Sequence, residues 1–148
     1  MAHESTHLVL LVEDNLDHAE LVIRSLAEHK LPMKVTHLRD GQAALDYLFR
    51  EGEWANPASS PRPHVLLLDL RLPRVDGLEV LRRVKEAETL SHLPVVILTT
   101  SAAERDIAKA YDRRANSYLI KPLDFSQFRR LMEDLGVYWL GWNASPLA

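Results

Sequence analysis

The stretch His64-Val65-Leu66-Leu67-Leu68-Asp69-Leu70-Arg71-Leu72-Pro73-Arg74-Val75-Asp76-Gly77 decides the architecture. Val65 to Leu68 is apolar without alternation, the pattern of a short strand buried on both faces. Asp69 closes that run, and in open α/β sheets the carboxyl ends of strands are where ligands are held. Outward from it the pattern recurs. His7 to Val12 is another apolar run, closed by Glu13 and Asp14. Met33 to Leu38 reads as a second strand, Pro94 to Leu98 as a fourth with Thr99 after it, and Ser117 to Ile120 as a fifth with Lys121-Pro122 after it.

Helical spacing fills the intervals. Leu16, Ala19, Val22, Ile23 and Leu26 recur from Asn15 to about Lys30, and Ala44, Leu45 and Leu48 share a side of Gly41 to Phe49. Leu78, Leu81 and Val84 face inward from Leu78 to Ala87. Ile107, Ala110 and Tyr111 form the apolar side of Ala103 to Arg113, and Phe128, Leu131, Met132 and Leu135 that of a last helix from Phe125. Five strands alternating with five helices predict a doubly wound parallel sheet, because right-handed crossovers place helices on both faces. Between Glu51 and Pro63 the glycine, asparagine and prolines predict a loop, longer than the roughly 2–6 residues usual in such folds.

At 148 residues the chain has the length of one domain, expected over 1–148 with a core at about 7–135 and an aromatic extension at 136–148. Eighteen basic against 21 acidic side chains give a net charge of −3, which argues against nucleic acid as a partner. Cysteine is absent, which excludes disulfides and thiolate metal sites. No apolar run approaches the roughly 20 residues of a membrane span, and Met1 to Thr6 lacks a signal pattern. These features predict a cytoplasmic protein with no membrane partner.

The strand ends bring Glu13, Asp14 and Asp69 to one sheet edge, with Thr99 and Lys121 beside them. Three close carboxylates repel, and a hard divalent cation relieves that. Mg²⁺ takes about six oxygens at roughly 2.0–2.1 Å and suits such a donor set. Zinc fits less well, because no histidine is expected at this edge. An ionised Asp69 beside a cation is a nucleophile for a phosphoryl group, whose oxygens the Lys121 ammonium and Thr99 hydroxyl can meet.

Val12-Glu13-Asp14-Asn15, Leu68-Asp69-Leu70-Arg71-Leu72-Pro73 with Asp76-Gly77, Leu98-Thr99-Thr100 and Tyr118-Leu119-Ile120-Lys121-Pro122 resemble the receiver domains of two-component response regulators. Asp69 precedes Thr99 by 30 residues and Lys121 by 52, the family's separations. The resemblance covers about Leu8 to Leu135. It implies a flavodoxin-like three-layer fold with strand order 2-1-3-4-5, and Asp69 as acceptor of a phosphoryl group from a sensor histidine kinase. It further implies a Mg²⁺ site, with Mn²⁺ able to substitute, formed by Glu13, Asp14, Asp69 and the Arg71 backbone carbonyl. Thr99 and Lys121 would contact the phosphoryl group, Thr99 and Tyr118 would switch the surface of the fourth helix, fifth strand and fifth helix, and the bond before Pro122 would be cis. The chain would be a signalling phosphoacceptor rather than an enzyme, with intrinsic autophosphorylation and autodephosphorylation. Arg71 is a long cation able to shield the phosphoryl group or recruit a partner.

The loop from Arg50 to Asn56 and the end from Val137 to Asn143 look like those of stand-alone receivers that partner bacterial phytochromes, which implies such a kinase. Ile107, Tyr111, Tyr138, Trp139 and Trp142 are candidates for a homodimer or partner surface, because the tail holds more large aromatics than a small core needs. Two rival readings remain. A haloacid-dehalogenase-type phosphatase needs an acid two residues after its nucleophile, where Arg71 stands. A non-phosphorylated pseudo-receiver acting as an interaction module sits poorly with the intact acids, threonine and lysine.

Overall fold

The computed structural model describes residues 7–28 and 33–135. Five strands, β1 (His7–Val12), β2 (Met33–Leu38), β3 (Val65–Leu68), β4 (Val95–Thr99) and β5 (Ser117–Ile120), alternate with α1 (Leu16–Ala27), α2 (Gly41–Phe49), α3 (Gly77–Glu86), α4 (Glu104–Asp112) and α5 (Phe125–Leu135). All neighbouring strands are parallel, in the order β2-β1-β3-β4-β5. Order and connectivity are those expected of a flavodoxin-like receiver fold.

The period-two geometry of strands divides the core into two layers. Leu10, Val12, Leu66 and Leu68 point to one side, where they meet Leu45 and Leu48 of α2 and Val80, Leu81 and Val84 of α3. Val9, Leu11, Val65 and Leu67 point to the other, against Ala19, Val22 and Leu26 of α1 and Phe128 and Met132 of α5. Each Leu or Val buried in this way contributes about 1.5–3 kcal/mol. The register sets Val12 beside Leu68 and Leu68 beside Ile97, so β1 and β3 end together while β4 runs on to Thr99. That shared end places Glu13 next to Asp69.

Helix starts are set by capping side chains. Asn15 accepts from the backbone N–H of His18 at 3.1 Å, Asp40 from Ala43 at 2.7 Å and Asp76 from Glu79 at 3.0 Å.

Three expectations need correction. Leu16, placed in the apolar stripe of α1, is 53% exposed: it is the first helical residue after the Asn15 cap, and the buried face begins at Ala19. On α4 the inward positions are Asp106 and Ala110, four residues apart, which leaves Ile107 half-buried and Tyr111 exposed. The stretch after α2 is more than a loop: Gly52–Trp54 forms a 3-10 turn, and the Trp54 ring packs on Tyr47 with centroids 4.9 Å apart. Tyr47 donates to the Pro61 carbonyl at 2.7 Å and buried Ser60 to the Trp54 carbonyl at 2.9 Å, which ties this segment to the domain.

Candidate functional site: an acidic cluster at the sheet edge

Glu13, Asp14 and Asp69 offer carboxylate oxygens that all lie within 4.8 Å of one another. Glu13 and Asp69 are buried and Asp14 is exposed. The buried Lys121 ammonium donates to Asp69 Oδ2 at 3.0 Å and to Glu13 Oε1 in a very short contact. It therefore stands between two carboxylates that would otherwise repel across a dry gap. Thr99 lies fully buried at the end of β4, and its carbonyl accepts the Lys121 N–H at 2.7 Å, which fixes the lysine backbone at the site. The structure thus brings all five strand-end residues together, and the acidic donor set fits a hard divalent cation.

The two buried acids titrate apart. Burial raises the Asp69 carboxyl, yet the Lys121 charge and hydrogen bond, helped by Glu13 and Thr99, outweigh it and hold Asp69 below the usual carboxylate range. Burial and the Asp69 charge push Glu13 up to about 7 despite Lys121. The pair thus shares its first proton on Glu13 and leaves Asp69 ionised, as a nucleophile requires.

Several features were not read from the sequence. His18, on the first turn of α1, accepts from Lys121 at Nδ1 over 3.0 Å. Burial, then the Lys121 charge, lowers its pKa, so it stands as a neutral acceptor near neutral pH. A ring nitrogen of His37 lies 2.7 Å from the Glu13 carbonyl oxygen. The expectation that no histidine accompanies the acids is therefore corrected. His18 reaches the edge from a position four residues after Asp14, one helical turn along, a spacing that the sequence does contain.

Arg71 donates from its backbone N–H to Asp69 Oδ1 at 3.3 Å, while its guanidinium pairs with Asp106 at 2.8 Å. Tyr118 is half-buried against the core and donates to the Ser101 carbonyl at 2.9 Å. The bond before Pro122 is trans, contrary to the expected cis isomer. Trans is intrinsically favoured by about 0.5–1 kcal/mol, and Lys121 meets both carboxylates without the rarer isomer. Ile107 and Tyr111 lie on α4, away from the acids, whereas Tyr138, Trp139 and Trp142 fall outside the described residues.

Gly77 seats α3 against the acidic loop. Its N–H donates to the Leu70 carbonyl at 2.9 Å, and a Cβ there would lie 2.1 Å from the Asp69 carbonyl oxygen and 2.8 Å from Leu70 Cα. Both neighbours are backbone and cannot turn aside. Gly77→Ala is expected to lower stability by about 1–3 kcal/mol, the usual cost of overpacking. It should also weaken divalent-metal binding several-fold by displacing Asp69, read by urea denaturation and metal titration.

Comparison with known proteins agrees with this geometry. The family model for the response regulator receiver domain matches residues 9–133. The chain is 48% identical over 144 residues to the probable methanogenesis regulatory protein FilR2 of Methanothrix harundinacea, covering 97% of this chain and 90% of that one. It is 38% identical over 141 residues to response regulator Rcp1 of Synechocystis, covering 95% and 94%. The Mn²⁺-bound structure of Rcp1 superposes with a TM-score of 0.90. The phosphorylated cyanobacterial phytochrome response regulator RcpA does so with a TM-score of 0.91 at 39% identity, over 96% of this chain and 99% of that one. Strand order, acidic edge and kinship coincide over one span, and the chain belongs to the response regulator receiver domain family.

Proposed function

We propose that Asp69 accepts a phosphoryl group from the phosphohistidine of a sensor kinase. One observation carries the reading: a carboxylate held ionised by Lys121 at 3.0 Å, within a three-acid cluster open to solvent through Asp14. An Asp69 oxygen attacks phosphorus as the bond to the histidine nitrogen breaks, and the imidazole leaves with that electron pair. Lys121 turns from the carboxylate to the transferred oxygens, and the Thr99 hydroxyl donates to one of them. Glu13, Asp14, Asp69 and the Arg71 carbonyl would hold Mg²⁺ or Mn²⁺, which supplies charge neutralisation at the transferring group.

Incubation with Mg²⁺ and acetyl phosphate, read by intact mass, tests this: one acid-stable, hydroxylamine-labile phosphoryl adduct is expected, and none overturns it. The same assay followed after donor removal reads intrinsic autodephosphorylation.

Because Glu13 is raised to about 7, metal must displace a proton in neutral solution. Affinity for Mg²⁺ is expected to fall as pH drops below that value, by at most about tenfold per unit. In metal-free protein the sign for folding is opposite. A raised carboxyl contributes stability fully present below its unfolded value of 4.5 and lost as pH rises through about 7. Metal titrations on either side of neutrality check the first trend and urea denaturation the second.

The donor is a phytochrome-type kinase in this reading, supported by likeness to RcpA and Rcp1. Leu123 and Phe125 are exposed beside His18 and Lys121, an apolar rim that a kinase carrying phosphohistidine can cover. Such a kinase draws on ATP, which places the protein in the cytoplasm. Phosphorylation turns Thr99 towards the new group and lets Tyr118 leave Ser101, which shifts the α4-β5-α5 surface between two populations. A homodimer through that surface, where Tyr111 is 51% exposed, is the output state. Light scattering after size exclusion should show twice the monomer mass, and a monomer with and without phosphorylation would refute it.

A further inference from the structure

Arg71 and Asp106 form an ion pair that the chemistry above does not use. Their side chains are 66% and 6% exposed, so the carboxylate is fixed in the fold on α4 while the guanidinium reaches it from solvent. Asp106 Oδ2 also accepts from Ser101 Oγ at 2.6 Å, so it has a second partner besides Arg71. Arg71 is tethered to the other centre too, since its backbone N–H sits 3.3 Å from Asp69 Oδ1. A side chain of that length, anchored there, can reach either Asp106 or whatever group Asp69 carries.

Resting on the reading of Asp69 as phosphoacceptor, we propose that Asp106 is a positioning residue. It parks the Arg71 guanidinium away from the phosphoryl group and thereby sets how fast the phosphorylated state hydrolyses. Phosphorylation replaces a singly charged carboxylate by a group carrying about −1.5 to −2 charges and three acceptor oxygens. Guanidinium binds such oxygens in bidentate fashion, so two anions compete for one cation. In hydrolysis a water oxygen attacks phosphorus and the bond to Asp69 Oδ breaks. Its electron pair returns to the carboxylate, inorganic phosphate leaves, and the proton lost by the water passes to bulk solvent. A guanidinium lying across the phosphoryl oxygens obstructs that water. One held by Asp106 leaves the path open.

The test is a double-mutant cycle on the full chain. Protein is charged with acetyl phosphate and Mg²⁺, the donor is removed, and the half-life of the adduct is followed by intact mass. Asp106→Asn keeps a partner for Ser101 and frees Arg71. It should lengthen the half-life about threefold to fivefold, the range open to an ion pair with one exposed member. In an Arg71→Ala background, which retains the backbone carbonyl, Asp106→Asn should change nothing. A general loosening of α4 would act in both backgrounds, so only the coupling reports positioning. An unchanged or shorter half-life, or equal lengthening without Arg71, overturns the proposal. Wild-type protein that takes up no phosphoryl group overturns instead the reading of Asp69. Circular dichroism checks folding, and Asp106→Ser serves in place of Asp106→Asn if the latter does not fold.

Discussion

Asp69→Asn is expected to leave the chain folded and to abolish phosphoryl uptake. The substitution preserves side-chain shape at a position 8% exposed, so packing against β1 and β4 is retained. It removes one of the two carboxylates that share Lys121, and Glu13 remains as the partner of the buried ammonium. With the Asp69 charge gone, Glu13 loses a cause of its raised pKa and ionises more readily, which restores charge balance. The amide is no nucleophile at neutral pH, and no second acid of the cluster replaces it: Glu13 is occupied by Lys121, and Asp14 faces solvent. Under Mg²⁺ and acetyl phosphate the wild type should gain one phosphoryl mass and the variant none, a complete loss. An adduct of equal yield on Asp69→Asn would place the chemistry elsewhere.

Lys121→Met should have the largest effect on stability. Glu13, Asp69 and Lys121 have side chains 2%, 9% and 2% exposed, so removing the ammonium leaves two uncompensated carboxylates in a dry site. Breaking a buried pair in this way costs about 3–5 kcal/mol. The pH dependence identifies the cause. Without the cation Glu13 is pushed further above its unfolded value, and Asp69 loses what holds it below its own, so that burial raises it too. A raised carboxyl contributes stability that is present at low pH and lost as pH rises through the folded pKa. The deficit against wild type should therefore be larger at about pH 8 than at about pH 5 in metal-free urea denaturation. Divalent cation should recover part of it by taking over the charge balance, whereas phosphoryl uptake stays impaired because Lys121 no longer meets the transferred oxygens. A deficit independent of pH would point to lost packing.

Most of the site was visible along the chain because its residues close strands. Val65 to Leu68 is buried on both faces, so its end is a sheet end and Asp69 must emerge there. The same reasoning holds for Glu13 after β1 and Thr99 at the end of β4. Helix periodicity was less informative where one position breaks it. On α4 the spacing of Ile107, Ala110 and Tyr111 looked apolar, yet the buried pair is Asp106 and Ala110. An acid in a core-facing register reads as an error until a partner is known, and its partners Ser101 and Arg71 lie in two other loops.

The sequence by itself determined the alternation of strands and helices, the burial of β1, β3 and β4, and the residues that gather at their carboxyl ends. These depend on local spacing and on right-handed crossovers, which place helices on both faces of a parallel sheet. Only the tertiary structure decided which charges meet. Lys121 settles between Glu13 and Asp69 with His18 beside it, and Arg71 settles on Asp106, 35 residues away. Ion pairs are chosen by distance and desolvation in three dimensions, quantities that no one-dimensional pattern carries.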